Sequence, residues 1–217
     1  MSNQNEAKRL LQTLEGTAIS DLRACIKWSR EYPVGEGSPY GGLNFTLCLL
    51  SLVVCETLGY YITGAQKHKE AIQRNQVDTG NYIMEFVQRF FHRDSYFKKL
   101  RKVLADFLRH ALVHGFGSGS ANVPFEIALF IDKDESNQII ASHENNKKTL
   151  KLNSVALAHQ TIEAFDKLKR RVDGGTDMDL CNNIADASRY THPVSHHVSN
   201  EFDAVYKQAQ RKRIGIE

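Results

Sequence analysis

The chain has 217 residues, of which 41% are hydrophobic, 24% charged and 9% aromatic. That is room for one generous domain, or one domain with an appended segment, and too apolar for wholesale disorder. With 28 Lys+Arg against 25 Asp+Glu the net charge is +3, too mild for a protein that coats nucleic acid indiscriminately, so any RNA or DNA contact must be local.

Asn5 to Arg30 reads as a first helix, with Leu11, Leu14, Ala18, Leu22, Cys25 and Ile26 at helical spacing. Residues 32–42 are rich in Gly and Pro and read as a connector; no GxxxxGK[ST] pattern supports a phosphate cradle. Leu43 to Ile62 is about long enough to cross a bilayer. It carries Asn44, Thr46, Ser51 and Glu56, however, and a charge inside a span costs a few kcal/mol. The expectation is a central, nearly all-round buried helix, roughly 43–63, and no membrane partner. Gly64 to Gly80 reads as a polar bridge, and Asn81 to Arg93 as a third helix striped by Ile83, Phe86, Val87, Phe90 and Phe91.

Tyr96 to His114 is a further amphipathic helix, with Phe97, Leu100, Leu104, Phe107 and Leu108 opposite Lys98, Lys99, Arg101 and Lys102. Gly115 supplies its stop. After the Gly/Ser-rich stretch the period changes to that of strands: 125–132, 138–142 and 149–152, with a turn at 132–137. Asn153 or Ser154 is placed to cap a helix over 155–172, and a short helix is expected near 177–189. The predicted fold is mainly α, a helical bundle with a small antiparallel β insert at about 125–152. Residues 1–172 form the domain and 173–217 a helical or flexible extension. Cys25, Cys48, Cys55 and Cys181 sit in apolar or helical contexts without a CxxC pair, which reads as reduced core thiols. The N-terminus lacks an apolar signal core, so the expected location is cytoplasmic.

The stretch that bears chemistry is Phe107-Leu-Arg-His-Ala-Leu-Val-His-Gly115. His110 and His114 are four apart and share a helix face. Arg109 and His114 stand roughly 140° apart around the axis, yet a long arginine and a helix ending at His114 allow them to converge.

This motif resembles the signature of the HEPN superfamily (higher eukaryotes and prokaryotes nucleotide-binding domains). That signature is an arginine, four to six residues of which the first is polar, and a histidine near the end of a core helix. Arg109, His110 and His114 match these positions at the four-residue spacing. The layout over roughly 5–172 is similar too, with a long first helix and a hydrophobic second helix bearing an acidic residue, Glu56. The strand insert departs from the all-helical pattern. The resemblance implies a homodimer whose motif helices face each other. It also implies either a metal-independent endoribonuclease, toxin-like or defence-related, or an inert module that binds a nucleotide or a partner protein such as an antitoxin. No cofactor or metal is implied.

Metal-free RNA cleavage uses the substrate's 2′-OH as nucleophile and needs a proton-transfer group and a fixed cation. Histidine suits the first role and arginine's planar fork the second. The assignment is His114 for proton transfer, Arg109 for phosphate binding, and His110 for orientation or a second relay. Structural roles compete: His114 can cap the helix C-terminus, worth roughly 0.3–1 kcal/mol, and Arg109 can pair with Asp106 or Glu56. Glu56, in an apolar helix, needs a partner, for which Arg109, Tyr60 and Tyr61 are candidates.

His192, His196 and His197 read as a solvated tail rather than a zinc site, since Pro193 disfavours a regular helix and only Glu201 lies near. The runs 98–102, 167–171 and 211–213 are basic; they read as solvated faces that an RNA substrate could also use as a rim.

Overall fold

A bundle built around one apolar helix positions everything else. The computed structural model describes residues 2–31, 43–73, 79–108, 125–132, 134–144 and 147–189. Arg109, His110, His114, Gly115 and the histidines of 192–197 lie outside the described residues, as do 32–42 and 211–213.

Helix α1 (Asn3–Leu14) starts where Ser2 accepts a hydrogen bond from the Asn5 amide. It runs through a π-helical turn, Glu15–Ile19, into α2 (Ser20–Glu31). In that turn the Thr17 hydroxyl donates to the Thr13 carbonyl at 2.8 Å, a side-chain intrusion that competes with the helical ladder. The expected first helix is present, slightly longer at each end.

Helix α3 (Asn44–Thr63) is the expected apolar helix. Among the described residues it is the one helix long and apolar enough to cross a membrane, and half of that stretch is buried in the fold. It packs against α2 and, among the later helices, against α4 (Ala65–Gln73), α5 (Thr79–Phe90), α7 (Ser154–Gly174) and α8 (Met178–Arg189). Burial is less complete than its composition suggests: Val53 is 47% exposed, beside an apolar groove shared with Leu14, Ala18 and Phe165. Buried Ser51 is satisfied by donating to the Leu47 carbonyl at 2.6 Å.

Gly64, at φ +86°, ends α3, and Asn183 of α8 donates to the Ile62 carbonyl at 3.0 Å. The following residues are not the polar bridge expected from their charges: 65–73 form α4. The sequence AQKHKEAIQ consists largely of good helix formers, and propensity prevails over polarity here.

In α5, Phe86 stacks on Phe90 with centroids 5.3 Å apart and meets Phe91 edge-on at 6.4 Å. Five residues later α6 (Tyr96–Lys99) begins, capped by Ser95, which accepts from the Phe97 amide. The chain continues into a second π-helical segment, Val103–Leu108, packed on α5.

The strands β1 (Phe125–Phe130), β2 (Ile139–Glu144) and β3 (Lys147–Asn153) form a sheet in the order β1-β3-β2. The expected antiparallel insert is corrected: β2 and β3 are antiparallel, but β1 pairs with β3 in parallel, Phe125 opposite Lys148 and Phe130 opposite Asn153. The two-residue link between β2 and β3 commits one edge of β3 to β2. That leaves β1 the other edge, along which it runs in β3's own direction. The Asp132–Asn137 turn carries the chain over the end of β3 and is fastened there by Asn153. Its side-chain amide donates to the carbonyls of Asp132 (3.3 Å) and Asn137 (3.2 Å). Its amide oxygen accepts from Val155 and Ala156, so one buried residue ties down the turn and caps α7. Ile127 and Leu152 point into the helical core.

Gly175, in the left-handed region at φ +64°, closes α7 with its amide on the Val172 carbonyl. Helix α8, which begins after that glycine, packs on α1 and α3 with Leu180, Cys181, Ile184 and Ala185 buried. Residues 178–189, expected in the extension, thus share the core of the main domain.

Candidate functional site

The residues that lead up to the motif take an unusual helical form. Leu104 and Ala105 are buried, anchoring the π-helical segment on α5, and the segment's last residue, Leu108, immediately precedes Arg109. Widened helical turns of this kind recur at functional sites because they re-aim side chains without breaking the helix.

The supporting residues expected from the sequence lie on the last turns of α3. Glu56 and Tyr60 are both half-buried. A tyrosine that the motif reading did not single out, Tyr82 in the first turn of α5, joins them: its ring meets Tyr60 edge-on at 5.8 Å. Tyr60 also lies against Tyr61, with centroids 5.7 Å apart. Burial, and secondarily the negative charge of Glu56, push the Tyr82 phenol above its ordinary pKa; burial alone does the same to Tyr61. Both phenols therefore stay protonated, and available as donors, well above neutral pH. The approach that permits this cluster depends on Gly59. A Cβ there would stand 1.9 Å from the Tyr82 carbonyl oxygen, so only glycine lets the backbones of α3 and α5 come this close. Tyr82 lay within the expected third helix but outside its apolar stripe of Ile83, Phe86, Val87, Phe90 and Phe91, and the charge beside it had no sign in the sequence.

A second polar feature escaped the sequence reading altogether. His92, Asp94, Glu135, Gln138, His159 and Glu163 line a cleft of about 360 Å³ between the start of α6, the β1–β2 turn and α7. His159 Nε2 lies 3.2 Å from Glu135, and Gln138 accepts from the Tyr96 amide at 3.0 Å. Among the described residues no three His, Cys, Asp or Glu side chains converge as metal ligands, here or elsewhere. The cleft pins the turn to the helices.

Of the cysteines, Cys48, Cys55 and Cys181 are buried and Cys25 is partly exposed, none of them in a disulfide. Burial pushes the Cys55 thiol up to about 12, despite a contact with the Thr161 hydroxyl at 3.7 Å, and raises Cys48 as well. These are inert core thiols rather than nucleophiles.

No protein-family model matches this chain, and no curated protein or solved structure matches it at a significant level. The likeness to HEPN domains rests on the motif and the helical layout.

Proposed function

We propose that this protein is a HEPN-type, metal-independent endoribonuclease acting as a homodimer. The observation that carries the reading is local. The Arg-His-x3-His stretch follows directly on a π-helical segment packed on α5, the same helix whose Tyr82 meets Tyr60 and feels Glu56. On the helix against which the segment before the motif packs, and on its neighbour α3, a phenol and a carboxylate are groups that can handle protons, as phosphodiester chemistry requires.

In the proposed reaction the ribose 2′-OH attacks the adjacent phosphorus and loses its proton to an imidazole. The bond to the 5′-oxygen breaks, and that oxygen takes up a proton as it leaves. The products are a 2′,3′-cyclic phosphate and a 5′-OH end. Arg109 binds the non-bridging oxygens, where charge builds up in the transition state. His114 moves the proton, and His110 orients it or serves as the second relay. Glu56, Tyr60 and Tyr82, on α3 and α5, are assigned supporting roles without contact with the reacting atoms.

An RNA bearing a single 2′-deoxy substitution tests the chemistry. Cleavage is expected at the unmodified phosphates and lost at the substituted one, with cyclic phosphate on the new 3′ ends. Cutting at the substituted position overturns the reading. Binding of a nucleotide with no cleavage of any RNA favours the inert HEPN-like module instead.

A further inference from the structure

Arg89 of α5 and Lys167, Arg170 and Arg171 of α7 line one concavity of about 350 Å³ together with Phe90 and Thr176. Among the described residues no carboxylate lines it. For a chain with a net charge of +3, four cations gathered here are a marked local excess.

The side chains are held rather than merely near one another. The Phe90 ring is 2% exposed, and two guanidiniums lie against it, Arg171 at 5.2 Å and Arg89 at 5.7 Å from its centroid. Lys167 Nζ donates to the Phe90 carbonyl at 3.4 Å. One buried aromatic residue thereby collects three of the four cations from two helices. The nearby acids offset the group only in part. Glu85 pairs with Arg89 at 3.7 Å, a solvent-screened pair, and Asp177 and Asp179 border a neighbouring depression that Arg171 also lines, while Asp166 faces Arg23 at 3.8 Å. Like charges fixed this close repel until an anion with several acceptor oxygens lies between them, and planar guanidinium forks match phosphate oxygens best.

We propose that this concavity on α5 and α7, built from residues outside the cleavage motif, is an exosite for the phosphodiester backbone of single-stranded RNA. The choice of RNA rests on the nuclease reading above; the preference for a polyanion rests on the charge geometry alone. The site reads phosphates and not bases, because the aromatic ring present is covered and offers no stacking face.

The test separates binding from cleavage by using a fluorescein-labelled 2′-O-methyl oligouridine 12-mer, which has no free 2′-OH to attack. Its affinity is measured by anisotropy against salt for the full chain and for Arg170→Gln/Arg171→Gln, both exposed positions. The variant is expected to bind at least about tenfold more weakly, with a salt slope shallower by roughly 0.7 for each phosphate that is no longer neutralised. Arg170→Lys/Arg171→Lys, which keeps the charge, should retain most of the slope. Equal affinity and slope in wild type and Gln variant overturn the exosite, as does failure of the wild type to bind the 12-mer. So does displacement of the 12-mer by AMP at equimolar concentration, which would mark a mononucleotide pocket. If the 12-mer results hold while unmodified RNA is never cut, the exosite stands and the nuclease reading falls.

Discussion

Replacing Gly59 by alanine tests whether the contact between α3 and α5 is as close as described. The new Cβ would lie 1.9 Å from the Tyr82 carbonyl oxygen, 2.4 Å from its carbon and 2.8 Å from Cα. All three are backbone atoms, so no side chain can swing aside. Restoring van der Waals contact requires the helices to part by about 1.5 Å at this crossing, in a core that is close-packed. Overpacking of a well-filled core costs about 1–3 kcal/mol, and a backbone collision belongs at the upper end. Alanine's better helix propensity returns about 1 kcal/mol. The net expectation is a loss of about 2 kcal/mol, a fall in Tm of roughly 4–8 °C for a chain of this size. Gly16→Ala is the matched control, since Gly16 has nothing within 4 Å of an added Cβ. It keeps the propensity gain without the collision and should be neutral or more stable by up to about 1 kcal/mol. Urea unfolding of the three proteins gives the answer. A Gly59→Ala protein as stable as wild type would refute the close approach, and with it the placement of Tyr82 beside Tyr60.

Asn153→Ala removes the α7 cap and both bonds that fasten the Asp132–Asn137 turn, at a fully buried position. Urea unfolding should show a loss of about 2–4 kcal/mol, and a loss under 1 kcal/mol would contradict the double role. Alkaline stability follows from the thiols. Cys55 ionises from 9.0 when unfolded but near 12 when folded, so the native state holds the extra proton. Stability is intact below pH 9 and falls as pH rises toward 12, by on the order of 2 kcal/mol at pH 10.5 for Cys55 alone. Cys48, Tyr61 and Tyr82 act in the same direction. A urea midpoint unchanged between pH 8 and 10.5 would count against this burial. Native protein at pH 8 should react with a thiol reagent at Cys25 and gain the other three sites only in denaturant; rapid native labelling of Cys55 would contradict its burial.

What could be read in advance was local. Helix α3 showed itself as an apolar run about long enough to cross a bilayer, and α7 through a cap at Asn153 or Ser154. The three strands were visible in their period, but their partners were not. Strand order depends on a turn folding over the end of β3, and that turn is fastened by a side chain 16 to 21 residues away. Helix α4 was masked by its charges, which describe its exposed face and not its backbone. The same limit applies to the functional features. Glu56 stood out as a carboxylate among apolar residues, whereas its influence on Tyr82 depends on two helices touching at Gly59. The run at 167–171 was visible as basic, but Arg89, 78 residues earlier in the chain, joins it only through Phe90.

The most direct test of the central claim is cleavage of an unstructured RNA in EDTA by wild type and by His114→Ala at equal concentration and matched stability. Metal-independent cleavage by the wild type is expected, with a loss of at least about a hundredfold in the variant. Cleavage undiminished in His114→Ala, or a wild type that cuts only when metal is restored, would contradict it.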